Sequence, residues 1–369
     1  MKKIILSVCL LSLLAPVVFA MQSGLIPYGV GAKYAGMGGA GSALVDDMSC
    51  AYYNPAGIVK SSVELKIGAG AATDGLSDMI GVLGSASNPS KFIVDNYSKK
   101  LDLNGNINAI VGLKVAGIGL SWIPVGSLTL LKDANQLVGT ASAGLNHEAI
   151  LTLGYSLGLP IVNLANVDLG LNVKSANSIG ATSAGVLSGT NTIFTDTITN
   201  RSGMGFDIGA KAEINTIVMP FSVAIVMKDI GETLKGTVQT TVSTYDATQT
   251  RTGQTSSSVN APDVTSPTTL VIGAATAIPG IGLKVALDLD SISGSGTSYS
   301  LTHLGLEYPI LGIVALRAGT VSGGPGGSSI SQTTIGAGFN LGIGLNFAMI
   351  MDGKNSKNNS TIVDCGFAF

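Results

Sequence analysis

The sequence predicts an all-β fold, a transmembrane antiparallel β-barrel of about 14 strands, within the range of outer-membrane barrels, with an N-terminal hatch in its lumen. Alternation of apolar with polar or small residues recurs along most of the chain. Of its 369 residues, 46% are hydrophobic, 11% are charged and 50 are glycines. Soluble domains carry about 25% charged residues, so much of this surface is expected to face lipid.

Composition also excludes other classes of protein. Each glycine inside a helix costs about 1 kcal/mol relative to alanine, which argues against a helical bundle. The high apolar content and low net charge exclude disorder. The formal charge is −2, with no basic block beyond the first residues, so nucleic acid is not an expected partner.

Residues 1–20 have the pattern of a secretory signal peptide. Lys2 and Lys3 precede a short apolar run, and Val18-Phe19-Ala20 has the small-x-Ala form of a cleavage site. We expect cleavage after Ala20, with an uncleaved anchor as the alternative.

Residues 21–61 do not alternate and are rich in glycine and alanine. Such residues let one backbone approach another closely. The segment is therefore predicted to be a hatch, or plug, packed inside the barrel. Asn54-Pro55 marks a turn near its end.

Residues 62–369 are predicted to form the transmembrane barrel. Segments such as 63–69, 167–174 and 283–290 alternate strictly, and their length suits a tilted membrane strand. Short and long links alternate, as expected for tight periplasmic turns and long outer loops. The predicted strands are 62–73, 107–115, 117–125, 147–158, 166–176, 202–213, 219–229, 268–277, 281–291, 300–308, 312–322, 332–340, 343–351 and 360–369. The long links are 74–106, 126–146, 177–201, 230–267, 292–299, 323–331 and 352–359.

The strands should place their apolar face on lipid and their polar face in the lumen. A catalytic carboxylate pair is the alternative use of these polar residues, but an ion-pair network holding the hatch is favoured. This predicted network comprises Glu64, Lys66, Lys114, Glu148, Asp168, Lys174, Asp207, Lys211, Lys284, Asp288, His303, Glu307 and Arg317.

Enzyme, metal and cofactor chemistry are not expected. His147 and His303 are scattered, and no Cys or His cluster has zinc spacing. No Gly-x-Ser-x-Gly elbow precedes a matching histidine. Cys50 and Cys365, which remain after signal cleavage, are expected to be unpaired.

The link 74–106 contains apolar residues at helical spacing, which predicts one or two short amphipathic helices. These helices would form a capture surface for a ligand, or alternatively a lid on the barrel rim. The link 230–267 is rich in Ser, Thr and Gln and is predicted to be a solvated outer loop. The candidate capture residues are Leu76, Met79, Ile80, Leu83, Phe92 and Ile93.

The chain ends in an alternating strand with Phe369 as its last residue. A terminal phenylalanine in this context resembles the assembly signal of bacterial outer-membrane proteins. It implies the barrel-assembly machinery and outer-membrane lipid as partners. We expect a monomer in the outer membrane of a Gram-negative-type bacterium.

One motif of the predicted hatch resembles that of the FadL/TodX superfamily of outer-membrane transporters. The resemblance implies a signal peptide, a hatch of about forty residues and a fourteen-stranded barrel that takes up hydrophobic compounds such as long-chain fatty acids. It also implies capture at outer loops and exit sideways through the wall. The motif residues that carry over are Asp46, Asp47, Tyr53, Asn54, Pro55, Ala56 and Gly57.

A second stretch points to another branch of this superfamily. The residues His303 to Tyr308 and Ala315 to Gly319 look more like the PorV-like proteins associated with type IX secretion. That branch implies secreted protein partners. Transport of a small hydrophobic molecule is the predicted function, with protein secretion as the alternative.

The third strand is the candidate for the sideways exit. Pro124 cannot donate to a strand ladder, so it should end the strand or interrupt its pairing. Gly119 and Ser121 would leave space on the lumen side. The alternative is that Trp122 is an interface-belt aromatic and Pro124 only starts a loop.

Overall fold

A computed structural model describes residues 29–60, 63–72, 89–158, 165–215, 219–325, 330–354 and 356–368. The signal-peptide prediction lies outside these residues. Sixteen antiparallel strands are present in the described part of the chain. They are β1 (Glu64–Ala72), β2 (Leu101–Val115), β3 (Ile118–Lys132), β4 (Gly139–Gly158), β5 (Ala165–Ser188), β6 (Asn191–Asn215), β7 (Pro220–Ile230), β8 (Thr233–Tyr245), β9 (Arg251–Thr265), β10 (Thr268–Ala277), β11 (Lys284–Gly294), β12 (Thr297–Ile310), β13 (Val314–Gly323), β14 (Ile330–Asn340), β15 (Ile343–Asp352) and β16 (Ser360–Ala368).

Fourteen of these strands form a closed barrel, which confirms the predicted fold class. β1 pairs with both β2 and β16, and β5 pairs with β6 along its whole length. β6 changes partner midway. Its second half pairs with β7, and its first half pairs with β8, which carries β9 at the edge. β8 and β9 therefore form a hairpin that extends one side of the barrel.

Several predicted links are instead strands. The link 230–267 contains the β8–β9 hairpin, and most of 177–201 belongs to β5 and β6. β2, β3 and β4 also extend into the predicted links 74–106 and 126–146. These extensions are rich in Ser, Thr, Asn and Gly. Hydrophobic alternation therefore could not reveal them, although their ladders are continuous with the apolar parts.

The faces of the barrel follow the predicted alternation. On β5, Leu169 and Leu171 are exposed on the outside, whereas Asp168, Asn172 and Lys174 are buried in the lumen. The exposed large side chains of the other barrel strands are mostly leucine, isoleucine, valine and phenylalanine. The outside therefore carries the apolar surface that lipid requires.

The inner segment, residues 29–60, lies in the lumen. It contains α1 (Ala32–Ala35), α2 (Cys50–Tyr53) and a 3-10 helix, Pro55–Val59. Its apolar side chains pack with lumen-facing residues of β2, β3, β4, β15 and β16 in one buried cluster. The main core of the molecule is therefore inside the barrel.

A further helix, α3 (Pro89–Asp95), closes the end of the lumen from which β8 and β9 extend. Ile93 is fully buried and packs in a cluster with Phe194 and Leu130. The Ser90 hydroxyl donates to Asp196 Oδ2 at 2.6 Å. In the described ranges, none of the helices has the length and apolar character needed to cross a bilayer.

Candidate functional site

The inner segment is seated in notches made by paired glycines. Gly170 of β5 and Gly209 of β6 are directly opposite each other. A Cβ on Gly170 would lie 2.1 Å from the carbonyl carbon of Pro55, and one on Gly209 would lie 2.1 Å from Asn54 Oδ1. Only glycine leaves room for this contact between the Asn54-Pro55 turn and the wall.

Asn54 uses both ends of its side chain in this notch. Its Oδ1 accepts from the Ala56 amide at 3.0 Å, which caps the 3-10 helix. Its Nδ2 donates to the carbonyl oxygens of Ser42, at 2.9 Å, and Ala210, at 3.3 Å. The asparagine thus joins two parts of the inner segment to β6.

A second glycine pair lies on another part of the wall. Gly305 of β12 and Gly319 of β13 are opposite each other. A Cβ on either residue would come within 2.5 Å of backbone atoms of Met37. The inner segment is therefore held by close backbone approach at two separate places on the wall.

Carboxylates of the barrel strands also bind backbone amides of the inner segment. Asp288 Oδ2 accepts from Gly41 N at 2.9 Å and Ser42 N at 2.8 Å. Asp364 Oδ2 accepts from Ala32 N at 2.6 Å. His303 Nδ1 lies 2.8 Å from the carbonyl oxygen of Gly38. The two carboxylates fix the segment by charge-assisted hydrogen bonds, which are stronger than neutral ones.

The acidic pair of the predicted hatch motif meets lysines. Lys33 Nζ is 2.8 Å from Asp46 Oδ1, and Lys66 Nζ is 2.9 Å from Asp47 Oδ2. Lys114 Nζ donates to the carbonyl oxygen of Asp46 at 2.8 Å. The remaining motif residues pack locally. Tyr53 packs against Tyr34 in a tilted arrangement with a 5.0 Å centroid separation, and Gly57 lies against Val45.

The other predicted network residues all lie on the lumen side. Arg317 Nε lies 2.7 Å from Glu307 Oε2, and Lys284 Nζ lies 2.7 Å from Glu307 Oε1. Asp168 accepts from the Ser156 hydroxyl, and Lys211 lies 3.2 Å from Glu213. Lys174 lies among four carboxylates, those of Glu148, Asp207, Asp229 and Glu232. Asp229 and Glu232 were not singled out from the sequence, because both come after the alternating part of β7.

A polar cavity of about 440 Å³ opens at the end of the barrel with the short turns. Its walls carry charges of both signs, including Lys33, Asp46, Lys284 and Glu307, together with several glycines of the turns. This end of the lumen thus combines charged side chains with apolar ones such as Ile313 and Phe339.

The wall contains one local interruption at the position of Pro124. β2 and β3 are paired from Val115 and Ile118 to Val111 and Trp122, and pairing resumes at Asn108 and Val125. Proline has no N–H to donate at this point. On the other side of β3, Pro124 remains paired with His147 of β4. Of the two outcomes expected for Pro124, the structure has the interruption and not the strand end.

A shallow apolar depression of about 530 Å³ runs across the outer wall from β1 to β6 and passes beside this interruption. Leu113, Leu120 and Trp122 form part of its rim, and the inward-facing Gly112 and Ser121 form part of its floor.

Met48 of the inner segment closes the depression from behind. A Cβ on Gly112 would lie 2.3 Å from Met48 Cγ, and Gly119 meets Met48 and Ile58. The small residues of β2 and β3 at this place are therefore backed by two apolar side chains of the inner segment.

The candidate capture residues are only partly placed. Phe92 is half-buried and Ile93 fully buried on α3, which confirms a short helix there. Leu76, Met79, Ile80 and Leu83 lie outside the described residues, as does Phe369. The capture role and the assembly signal stay predictions.

Cys50 and Cys365 are both unpaired, as predicted. Cys50 is fully buried in α2, and this burial raises the pKa of its thiol well above the usual value. Cys365 is on the outer face of β16, beside the exposed Val363.

Solved structures with the same fold, a fourteen-stranded barrel, match this chain. The toluene transporter TodX of P. putida matches with a TM-score of 0.65 and 11% identity, over 93% of this chain and 99% of that one. The monoaromatic hydrocarbon channel CymD matches with a TM-score of 0.58 and 12% identity, over 93% and 97%.

A FadL homologue from Pseudomonas aeruginosa matches with a TM-score of 0.53 and 12% identity, over 89% of this chain and 94% of that one. No protein-family model matches the sequence, and no curated protein matches it. This chain therefore shares its fold with TodX, CymD and the FadL homologue, as the resemblance of the hatch motif predicts.

Proposed function

We propose that this protein is an outer-membrane channel for small, uncharged hydrophobic molecules, which leave the lumen sideways between β2 and β3. The observation that carries the proposal is the apolar depression beside the Pro124 interruption, backed by Met48. An apolar molecule in the lumen has a short route to lipid there. The route requires Met48 and Ile58 to move aside.

The charges of the lumen favour uncharged cargo over a carboxylate. Lys66, Lys174 and Arg317 are paired with acids, and Lys174 alone faces four carboxylates. A fatty-acid headgroup would therefore meet more negative than positive charge in a buried environment, where charge repulsion is strong. This argument favours aromatic or aliphatic hydrocarbons over the long-chain fatty acids predicted from the resemblance.

The neighbouring structures are consistent with this cargo. TodX is described as a toluene transporter, and CymD as a monoaromatic hydrocarbon channel. At 11–12% identity these proteins share the fold with this chain, and their cargo supports the proposal by analogy.

The remaining parts of the proposal follow the sequence. The signal peptide directs export, Phe369 serves assembly, and the protein acts as a monomer without enzymatic activity. The capture role of α3 and of the preceding link belongs to the same proposal. The PorV-like alternative rests on the residues of β12 and β13 alone, and within the described residues we find no feature that favours a secretion partner.

Uptake assays test the proposal. The protein is produced in a bacterial host that lacks channels of this fold, and uptake of radiolabelled toluene and of radiolabelled palmitate is measured. We expect toluene uptake to rise above that of the host, while palmitate uptake at neutral pH stays at the host level. Palmitate uptake without toluene uptake would favour fatty acids, and no uptake of either would contradict the proposal.

A further inference from the structure

Four carboxylates and one ammonium group meet at the point where β6 changes partner from β7 to β8. Lys174 Nζ lies 2.9 Å from Asp207 Oδ1, 3.8 Å from Glu232 Oε2 and 3.9 Å from Glu148 Oε2, and it also contacts Asp229. All five side chains are largely buried. Buried charge is costly unless it is neutralised. One lysine neutralises only part of this cluster.

Three of these carboxylates have the arrangement of a cation site. Glu148, Asp229 and Glu232 each offer one oxygen, and the three oxygens all lie within 4.8 Å of one another. Calcium takes oxygen ligands at about 2.3–2.6 Å, so one ion can contact three oxygens spaced in this way. Lys174 lies nearest to Asp229 and contacts all three of these carboxylates, so the ion would displace its ammonium group towards Asp207, 2.9 Å away.

Glu232 supplies an independent indication that a ligand belongs here. Its side chain is 4% exposed, and its Oε1 accepts from the Ser266 hydroxyl. Its Oε2 is turned towards Lys174, but it has no hydrogen-bond partner in the described structure. A buried carboxylate oxygen that faces a distant ammonium group but accepts no hydrogen bond is destabilising, and a cation in direct contact would relieve that cost.

We propose that Glu148, Asp229 and Glu232 bind a hard divalent cation, with calcium as the best fit. The ion would join β4 to the turn between β7 and β8. That turn carries the base of the β8–β9 hairpin, so the ion would stabilise the extended side of the barrel. The proposal does not depend on the transport function, because it concerns binding to the purified protein.

Calorimetric titration of purified, EDTA-treated protein with CaCl₂ tests the proposal. We expect saturable binding of one ion with a dissociation constant of about 10⁻⁴–10⁻³ M, the range of extracellular calcium modules. Calcium should also raise the temperature at which the folded band disappears on gels. Glu232→Gln should remove both effects. Glu213→Gln, which changes a partly exposed lumen acid outside the cluster, should retain both.

Two results would overturn the proposal. One is the absence of saturable binding up to about 10 mM calcium or magnesium, well above the expected constant. The other is equal binding by the wild type and Glu232→Gln, which would assign the ion to another place. If Glu232→Gln does not fold, Asp229→Asn replaces it. Stabilisation of the wild type by low pH but not by calcium would show that protons neutralise the cluster, and it would also overturn the proposal.

Discussion

Gly170 and Gly209 face each other across β5 and β6, and the Asn54-Pro55 turn fills the space where their side chains would be. This arrangement explains part of the high glycine content. The strands need apolar residues outside, but inside they need room for the inner segment. Glycine at paired positions supplies that room without breaking the ladder.

Replacing Gly209 by alanine should loosen the inner segment. The new Cβ would overlap Asn54 Oδ1, and overpacking of this kind costs about 1–3 kcal/mol. We expect higher single-channel conductance in planar bilayers and a lower unfolding temperature. Gly180→Ala is the matched control, because its nearest neighbour lies 4.0 Å from the added Cβ. Identical behaviour of the two variants would contradict the glycine-notch interpretation.

Lysine on the lipid face should impair assembly. Leu171 is 36% exposed on the outer face of β5. A lysine in mid-membrane costs about 2–4 kcal/mol. Leu171→Lys should therefore reduce the folded, heat-modifiable band. Leu187→Lys is the control, since Leu187 is 65% exposed on the same strand, next to the turn at the end of the extension. Equal loss in both variants would place the membrane boundary elsewhere.

A charge on α3 should lower uptake if this helix takes part in capture. Phe92 is half-buried beside the cluster around Ile93, so a carboxylate there would disfavour apolar ligands. We expect Phe92→Asp to reduce toluene uptake with normal folding. Lys91→Asp changes an exposed neighbour on the same helix and should have little effect. Unchanged uptake in Phe92→Asp would remove α3 from the mechanism and leave it as a lid.

Shortening Met48 should ease the sideways route. Met48 is fully buried and lies directly behind Gly112 and Gly119. Met48→Ala would leave a cavity at this position, at a cost of about 2–5 kcal/mol in stability. We expect faster toluene uptake together with a lower unfolding temperature. Met37→Ala, in the other notch, should lower stability without faster uptake. Slower uptake in Met48→Ala would contradict the role of Met48 as a barrier.

The sequence was sufficient to predict the barrel and the direction of its faces, because lipid imposes alternation on every membrane strand. It did not predict the extensions of β4, β5 and β6 or the β8–β9 hairpin. Those parts are rich in serine and threonine on both faces of the strands, so apolar and polar residues do not alternate there in the sequence. The motif at Asn54 could be recognised from its resemblance, but its partners Gly170 and Gly209 could not, since only the closed barrel brings them together. The same holds for Glu148 and Glu232, which are far apart in the chain.

The sideways route can be tested by joining β3 covalently to each of its two neighbours. Val111 is opposite Trp122 at the border of the interrupted pairing, and Ala149 is opposite Trp122 on the uninterrupted side. Val111→Cys with Trp122→Cys would bridge β2 to β3. Trp122→Cys with Ala149→Cys would bridge β3 to β4 as a control that shares the loss of the tryptophan.

Toluene uptake by each pair is compared before and after oxidation, with complete crosslinking verified on gels. The proposal predicts that oxidation of the β2–β3 pair lowers uptake to the level of the host without the protein, and that reduction restores it. Oxidation of the β3–β4 pair should leave uptake unchanged. Undiminished uptake with the β2–β3 crosslink complete would contradict passage of the molecule between these strands.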